Sequence, residues 1–361
     1  MNTSSISLFE FFRRRAASGE SLALATVVGT EGSTYRKPGA QMLIGDDGSS
    51  SGLLSGGCLE ADLIERSRRV IATAAAEIVT YDARSSQDPV WGLGLGCEGA
   101  MHILLQRLDA ASGYEPFAFA AKRIAQHERG AYALVVASED ARVAVGTAWH
   151  SASAPTGAAE AMIVERARNR AQQGGFENIT VGPAGARLTA FIAALELPTR
   201  LLLLGAGADA EPVVAIAALL DWHVTVVDHR SAYLVAGRFP ASTTLRETQL
   251  AQVSMAVELD DYDAAVVMSH HLVADAAYLR ALAAAAVPYV GLLGPAARRR
   301  RLLAELGDAA RQLGDRLYGP VGLDIGARTP EAIAVAIVAE IQAFLAGRAG
   351  ESFRLGARRN A

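Results

Sequence analysis

A two-domain α/β chain is predicted: an N-terminal α+β half over residues 1–197, a C-terminal doubly wound parallel sheet over 198–350, and a flexible tail over 351–361. Three observations predict it. The 361 residues suffice for about two domains of ordinary size. Beyond Pro198, short and wholly apolar runs alternate with helical stretches, the pattern of parallel strands covered on both faces. The first of those runs leads directly into Gly205-Ala-Gly207, a glycine turn that opens a helix.

Met1 to Glu20 reads as a short amphipathic helix. It does not read as a signal peptide, because Arg13, Arg14 and Arg15 follow the apolar Leu8, Phe11 and Phe12 instead of preceding them. Residues 21–28 read as a buried strand and 41–44 as a second; the tight turn at Asp46-Asp47-Gly48 is a hairpin signal. Residues 60–76 have helical spacing with charges on one face. Strands are expected at 77–82 and 100–105, with the glycine-dense loop Gly92–Gly99 between them. A helix at 115–128 precedes an expected hairpin, 131–137 with 142–148, turning at Glu139 and Asp140. A helix at 158–173 and a strand at 186–195 complete this half, and Pro198 marks the boundary.

In the second half, strands are expected at 200–204, 222–227, 263–268 and 287–293, with a helix over 210–220 after the first. A last helix over 330–346 carries its own start signals. Thr329 can cap it, Pro330 sits at its first position, and Glu331 favours its positive end.

Half of the residues are apolar and the formal net charge is −4, so nothing draws the whole chain to nucleic acid or to anionic lipid. No run of about 18 apolar residues marks a membrane span. Two cysteines, Cys58 and Cys97, are too few for a secreted disulfide scaffold of this length, and no Cys/His spacing suits zinc. These readings point to a cytoplasmic protein.

Six constellations carry chemical interest. Gly205-Ala-Gly207-Ala-Asp-Ala210 fits the G-x-G-x-x-A form of the dinucleotide fingerprint. Gly205 permits the sharp turn, Gly207 lets a pyrophosphate approach the backbone, and the helix start offers free N–H groups. Asp228, 23 residues after Gly205 at the end of the next strand, would accept from a ribose hydroxyl. Asp209 opposes an anion at the same place, and a Rossmann-like scaffold holding another ligand, or none, remains the alternative. The turn Gly32–Gly39 supplies Ser33, Thr34, Arg36 and Lys37 as donors for a phosphate or oxoanion, or is simply a solvated loop.

Ser55-Gly56-Gly57-Cys58-Leu-Glu60 opens a helix. A thiol in the first turn feels the helix dipole and favours thiolate, which sulfur chemistry or metal ligation requires; a small buried residue is the plain alternative. Cys97, in its glycine-rich loop, carries the same two readings. Ser269-His270-His271 with Asp275 follows a strand, at the edge where open parallel sheets bind ligands. His270 there is a proton carrier, a phosphate ligand or a structural residue. Arg298 to Arg301 open a later helix, where one or two can reach an anion while the rest are solvated.

Taken in order, these segments resemble the XdhC/CoxI family. The matching stretches are Gly32–Leu43, Ser55–Glu60, Gly94–Cys97, Leu204–Gly207, Val227-Asp228, Gly291–Gly294 and Gly322–Pro330, weakest over about 110–195. The resemblance implies an XdhC/CoxI-type first domain and a Rossmann-like second one. It implies a maturation factor that binds molybdenum cofactor in its molybdopterin form and protects it while a cysteine desulfurase supplies its terminal sulfur. The factor then inserts the cofactor into a xanthine-dehydrogenase-type apo-enzyme, and some members are dimers. On this sequence the implied ligand site would lie between the halves. Ser33, Arg36, Lys37, Ser55, Gly56, Gly57, Cys58 and Cys97 would come from the first, and Gly205, Gly207, Asp228 and His270 from the second. Cys58 and Cys97 would be the molybdenum ligands. Glu98 stands where the family often has Gly or Asn.

Two other readings remain open. An NAD(P)-dependent oxidoreductase would use the Rossmann-like domain to hold NAD(P) or another nucleotide, with His270 as proton donor. A protein-interaction module would carry a vestigial nucleotide site.

Overall fold

The computed structural model describes residues 8–57, 59–82, 84 and 99–352. The chain divides into two compact units, Met1–Leu197 and Pro198–Ala361. Each unit is a continuous run of sequence.

The first unit opens with helix α1 (Leu8–Ala17) and contains two antiparallel sheets. Strands β1 (Leu22–Gly32), β2 (Gln41–Gly45), β3 (Ser50–Gly52), β4 (Glu77–Asp82) and β5 (Gly99–Leu108) form the first, in the order β3-β2-β1-β5-β4. Helix α2 (Glu60–Thr73) covers one face. Its Leu63 and Val70 pack on Ala23, Ala25, Val27, Ile103 and Leu105. On the other face, alternate residues Leu22, Leu24, Leu43 and Leu108 meet Phe11 and Phe12 of α1 and Phe117 of α3 (Phe117–Ala125). This is the period-2 division of a strand between two layers.

The second sheet orders β7 (Ala148–His150), β6 (Ala131–Ser138), β9 (Leu188–Ala194) and β8 (Phe176–Val181). Helix α4 (Ala158–Gln173) buries Ile163 and Ala167 against Ala131, Ala133 and Ile192. Tyr132, Leu134 and Phe191 turn the other way and join Val28 and Leu104, locking the two sheets together.

Three local features differ from the pattern-based expectation. The stretch expected as a strand at 142–148 is instead mostly turn. Asp140 Oδ1 accepts from Arg142 N–H at 3.0 Å and from Arg142 Nε at 2.9 Å, and this local bonding competes with a ladder. Helix α2 stops at Thr73, where Ala74 takes φ +59° and its N–H reaches Val70 O. Strand β8 reads Phe-Glu-Asn-Ile-Thr-Val, too polar to stand out, because it is exposed at alternate positions.

The second unit is a six-stranded sheet of β10 (Arg200–Leu204), β11 (His223–Asp228), β12 (Thr244–Glu247), β13 (Ala264–Val267), β14 (Tyr289–Leu292) and β15 (Leu317–Tyr318). Every neighbour pair is parallel and the order is β12-β11-β10-β13-β14-β15. Numbered within the unit this is 3-2-1-4-5-6, the strand order of dinucleotide-binding sheets. Helices α5 (Ala210–Leu219) and α10 (Pro330–Leu345) cover one face, where Leu201 and Leu203 pack on Val213, Val214, Ile337 and Ile341. The other face carries α6 (Val253–Ala256), α7 (Leu272–Ala283), α8 (Ala296–Leu306) and α9 (Asp308–Leu313); there Leu202 and Leu204 meet Tyr278, Leu279 and Leu302. A run of four leucines buried on both sides is what a central parallel strand requires. Helix α10 starts as its sequence signals: Thr329 Oγ1 accepts from Ala332 N–H at 3.3 Å. The chain is thus α/β, with a Rossmann-like sheet in its second unit and antiparallel sheets in its first. Among the described residues no helix is long and apolar enough to cross a membrane.

Candidate functional site

In the first unit, two loops beside β2 and β3 are tied together. The Arg36 guanidinium donates through Nε to the carbonyl of Leu53 at 3.0 Å, and Thr34 Oγ1 donates to Arg36 O at 2.9 Å. Ser33, Arg36 and Lys37 are exposed. The loop that follows Leu53 is organised by Glu60. Its Oε1 accepts from the N–H groups of Leu54 (3.1 Å) and Ser55 (2.7 Å), and its Oε2 from Ser55 Oγ (2.5 Å). Ser55 Oγ in turn accepts from the N–H groups of Gly57 (3.3 Å) and Leu59 (3.1 Å). These bonds fold the loop that leads into α2 around the Ser55 and Glu60 side chains. Gly57 takes φ +107°, which favours glycine. Cys58 and Cys97 lie outside the described residues, as does the Gly92–Glu98 stretch. Gly57 and Leu59, the neighbours of Cys58, are both held by Ser55.

Burial opposes ionisation of Glu60, but the bonds from Ser55 and Leu54 hold its carboxyl below the usual range. A group with a depressed folded pKa contributes stability above its unfolded pKa and loses it as pH falls through the folded value. We expect Glu60→Ala to cost about 1–3 kcal/mol at neutral pH, since it orphans three donors. That cost should shrink on acidification, read as urea midpoints against pH; a pH-independent penalty would mean that the loop does not depend on the carboxylate.

Strand β5 begins beside the Ser33 turn. Arg84 bridges Glu31 (2.8 Å) and Asp82 (2.9 Å), whose carboxyl its side chain and N–H hold at about 2. Gly99 approaches so closely that a Cβ on it would lie 2.5 Å from Ser33 O.

In the second unit, the loops after β10, β11, β13 and β14 gather at the carboxyl edge of the sheet, where such sheets bind ligands. Gly205 takes φ +126° and presses on the backbone of the loop after β13: a Cβ there would lie 2.6 Å from Met268 C and Ser269 N. Asp228 is fully buried. Its Oδ2 accepts from Ala206 N–H (2.8 Å) and Arg230 Nη2 (2.9 Å), its Oδ1 from Arg230 N–H and Nε (2.9 Å each). Burial opposes its ionisation, but Arg230 and the two N–H donors hold its carboxyl below the ordinary value. Arg230 itself stacks on Tyr233 at 3.9 Å. Asp228 therefore braces the glycine turn from behind, a different bond set from the ribose contact that its spacing suggests.

His270, exposed and at φ +60°, places Nε2 2.6 Å from Asp209 Oδ2. Asp209 stands at the N-cap of α5 without capping it. Behind this pair, Asp275 is 1% exposed. It accepts from Ser269 Oγ (2.5 Å) and pairs with Arg298 through Nη2 (2.6 Å) and Nε (3.1 Å). Of the four arginines at the start of α8, Arg298 is thus a structural partner. His271 caps α7, its Nδ1 accepting from Ala274 N–H at 3.4 Å.

The fold thus brings Gly205, Gly207, Asp228 and His270 to one edge, and Arg36, Ser55, Gly56 and Gly57 to one pair of loops. Sequence reasoning gave no role to Glu60, Arg230 or the Asp275–Arg298 pair. Arg230, two residues after the aspartate it clamps, and Glu60, five after Ser55, bond locally; the Asp275–Arg298 pair does not. Among the described residues no group of three or more His, Cys, Asp or Glu side chains is arranged to hold a metal ion.

The XdhC and CoxI family model matches residues 15–82, and the XdhC Rossmann domain model matches 201–341. A protein of Bacillus subtilis (strain 168), described as a probable xanthine dehydrogenase subunit, is 34% identical over 325 residues, which span 89% of this chain and 92% of that protein. The molybdenum cofactor insertion chaperone PaoD of Escherichia coli (strain K12) is 23% identical over 327 residues, 90% of this chain and 83% of that one. A crystal structure of a protein described as a xanthine dehydrogenase from Bacillus halodurans superposes with a TM-score of 0.77 at 27% identity, covering 96% of this chain and 98% of its own. With both units matched in order and a relative above 30% identity along nearly its whole length, the chain belongs to the XdhC and CoxI family.

Proposed function

We propose that this chain is a maturation factor that binds molybdenum cofactor in its molybdopterin form as cargo, supports its sulfuration, and inserts it into a xanthine-dehydrogenase-type apo-enzyme. The observation that carries the reading is the likeness, along nine-tenths of the chain, to a protein named as a molybdenum cofactor insertion chaperone. The residues suit the task. Arg36 and Lys37 are exposed cations fit for an anionic pterin phosphate, and the Ser55–Glu60 bonds hold the neighbours of Cys58 in a set geometry. In this reading Cys58 and Cys97 ligate molybdenum, a cysteine desulfurase delivers the sulfur, and the factor acts in the cytoplasm as a dimer.

The test is retention of the cofactor by the purified chain, followed by transfer to an apo-hydroxylase. Cys58→Ala and Cys97→Ala each remove a ligand in this reading, so each should weaken retention by at least the about 10- to 100-fold that loss of an outer-shell partner costs at metal sites. Retention unchanged in both variants would remove the thiols from the reading. The strand order and glycine turn of the second unit favour the rival, an NAD(P)-dependent oxidoreductase; saturable NADH binding without cofactor retention would favour it over the chaperone.

A further inference from the structure

In a dinucleotide-binding sheet, the second glycine of the turn leaves room for the pyrophosphate against the backbone. Here that room is taken from within the chain. A Cβ built on Gly207 would lie 2.6 Å from Asp209 Oδ1, so the carboxylate occupies the space that the missing side chain vacates. Asp209 does not cap α5, as an aspartate at that position ordinarily does. It is drawn sideways to His270, whose Nε2 lies 2.6 Å from Oδ2, and His270 holds a left-handed backbone conformation to reach it. Ala206 N–H, a second group of the turn, is already bonded to the buried Asp228.

We propose that Asp209, positioned by His270, is the specificity-determining residue of this turn and excludes ligands that bring a diphosphate to it. A carboxylate at the start of α5 repels phosphate oxygens, so it cancels the attraction that a helix N-terminus otherwise offers to anions. The glycine pattern and the strand order are those of a dinucleotide site, and the residue between the last glycine and the helix reverses its preference. This holds whether or not the turn touches the molybdenum cofactor, so it stands or falls separately from the maturation reading.

The experiment titrates NADH, by its fluorescence, and inorganic pyrophosphate, by calorimetry, into the full chain and into Asp209→Ala, Asp209→Asn and His270→Ala. Circular dichroism and melting establish that each variant is folded. The wild-type chain should show no saturable binding of either probe. Asp209→Ala should bind both, at least about tenfold more tightly than the wild type, as removal of a like charge a few ångströms away allows. Asp209→Asn keeps the volume and loses the charge, so it should fall between the two. His270→Ala, which frees the carboxylate to swing away, should gain less than Asp209→Ala. Saturable NADH or pyrophosphate binding by the wild-type chain overturns the proposal. So does a folded Asp209→Ala variant that binds neither probe better than wild type. Cofactor retention measured alongside keeps the two readings apart. An Asp209→Ala chain that retains the cofactor but gains no pyrophosphate refutes this proposal alone.

Discussion

Gly205→Ala is expected to destabilise the second unit by about 2–5 kcal/mol, combining left-handed strain with overpacking. The reason is where the new methyl lands. At φ +126° a β-carbon is strained whatever its surroundings, and here it meets Met268 C, Met268 O and Ser269 N at 2.6 Å. Those are backbone atoms at the end of the adjacent parallel strand, so no rotamer change relieves the clash; β10 and β13 would have to part. Gly207→Ala, two residues on, should cost less than about 1 kcal/mol, because its methyl meets side chains alone, closely only the end of Asp209, and its φ is not left-handed. Urea unfolding of the two variants compares the positions directly. Equal losses would show that the close approach of the β10 and β13 ends is not what demands glycine at 205.

Arg298→Met should cost about 3–5 kcal/mol, the range for removing one partner of a buried ion pair. Asp275 is 1% exposed and its Oδ2 depends on the Arg298 guanidinium. Once that is gone, only Ser269 and its N–H remain bonded to the carboxylate, both through Oδ1. The companion variant Asp275→Asn in the Arg298→Met background removes the stranded charge and should recover part of the loss. A double-mutant cycle on unfolding midpoints reads the coupling. If Arg298→Met is as stable as the wild type, the pair does not fasten the loop that carries His270.

The sequence was most readable where burial imposes a pattern. The four leucines of β10, the glycine turn and the Thr329-Pro330 start of α10 each follow from a rule that needs only neighbours in the chain. Strand β12, Thr-Leu-Arg-Glu, was missed because it is an edge strand with mostly exposed residues, and no apolar run is needed there. The 142–148 stretch misled because Val143 and Val145 suggest a strand, while the Asp140 side chain had already committed the backbone to a turn. At the candidate site, topology brought Gly205, Gly207, Asp228 and His270 together as their positions after successive strands imply. What each carboxylate binds was not readable. Asp209 to His270 spans 61 residues and Asp275 to Arg298 spans 23, and such pairings are decided by which loops the sheet order makes neighbours. Asp228 shows the same limit: its spacing from the glycine turn fits a ribose contact, but Arg230 and Ala206 take its oxygens.

The uninterrupted division of the chain at Pro198 has a consequence for synthesis. Every strand of the first two sheets, and every helix that covers them, precedes that proline, so the ribosome has delivered the whole of the first unit before the first strand of the second emerges. At ordinary elongation rates the remaining 164 residues take roughly 10–30 s to follow, far longer than a small domain needs to collapse. The antiparallel half can therefore mature on the ribosome with no competition from the leucine-rich strands still to come.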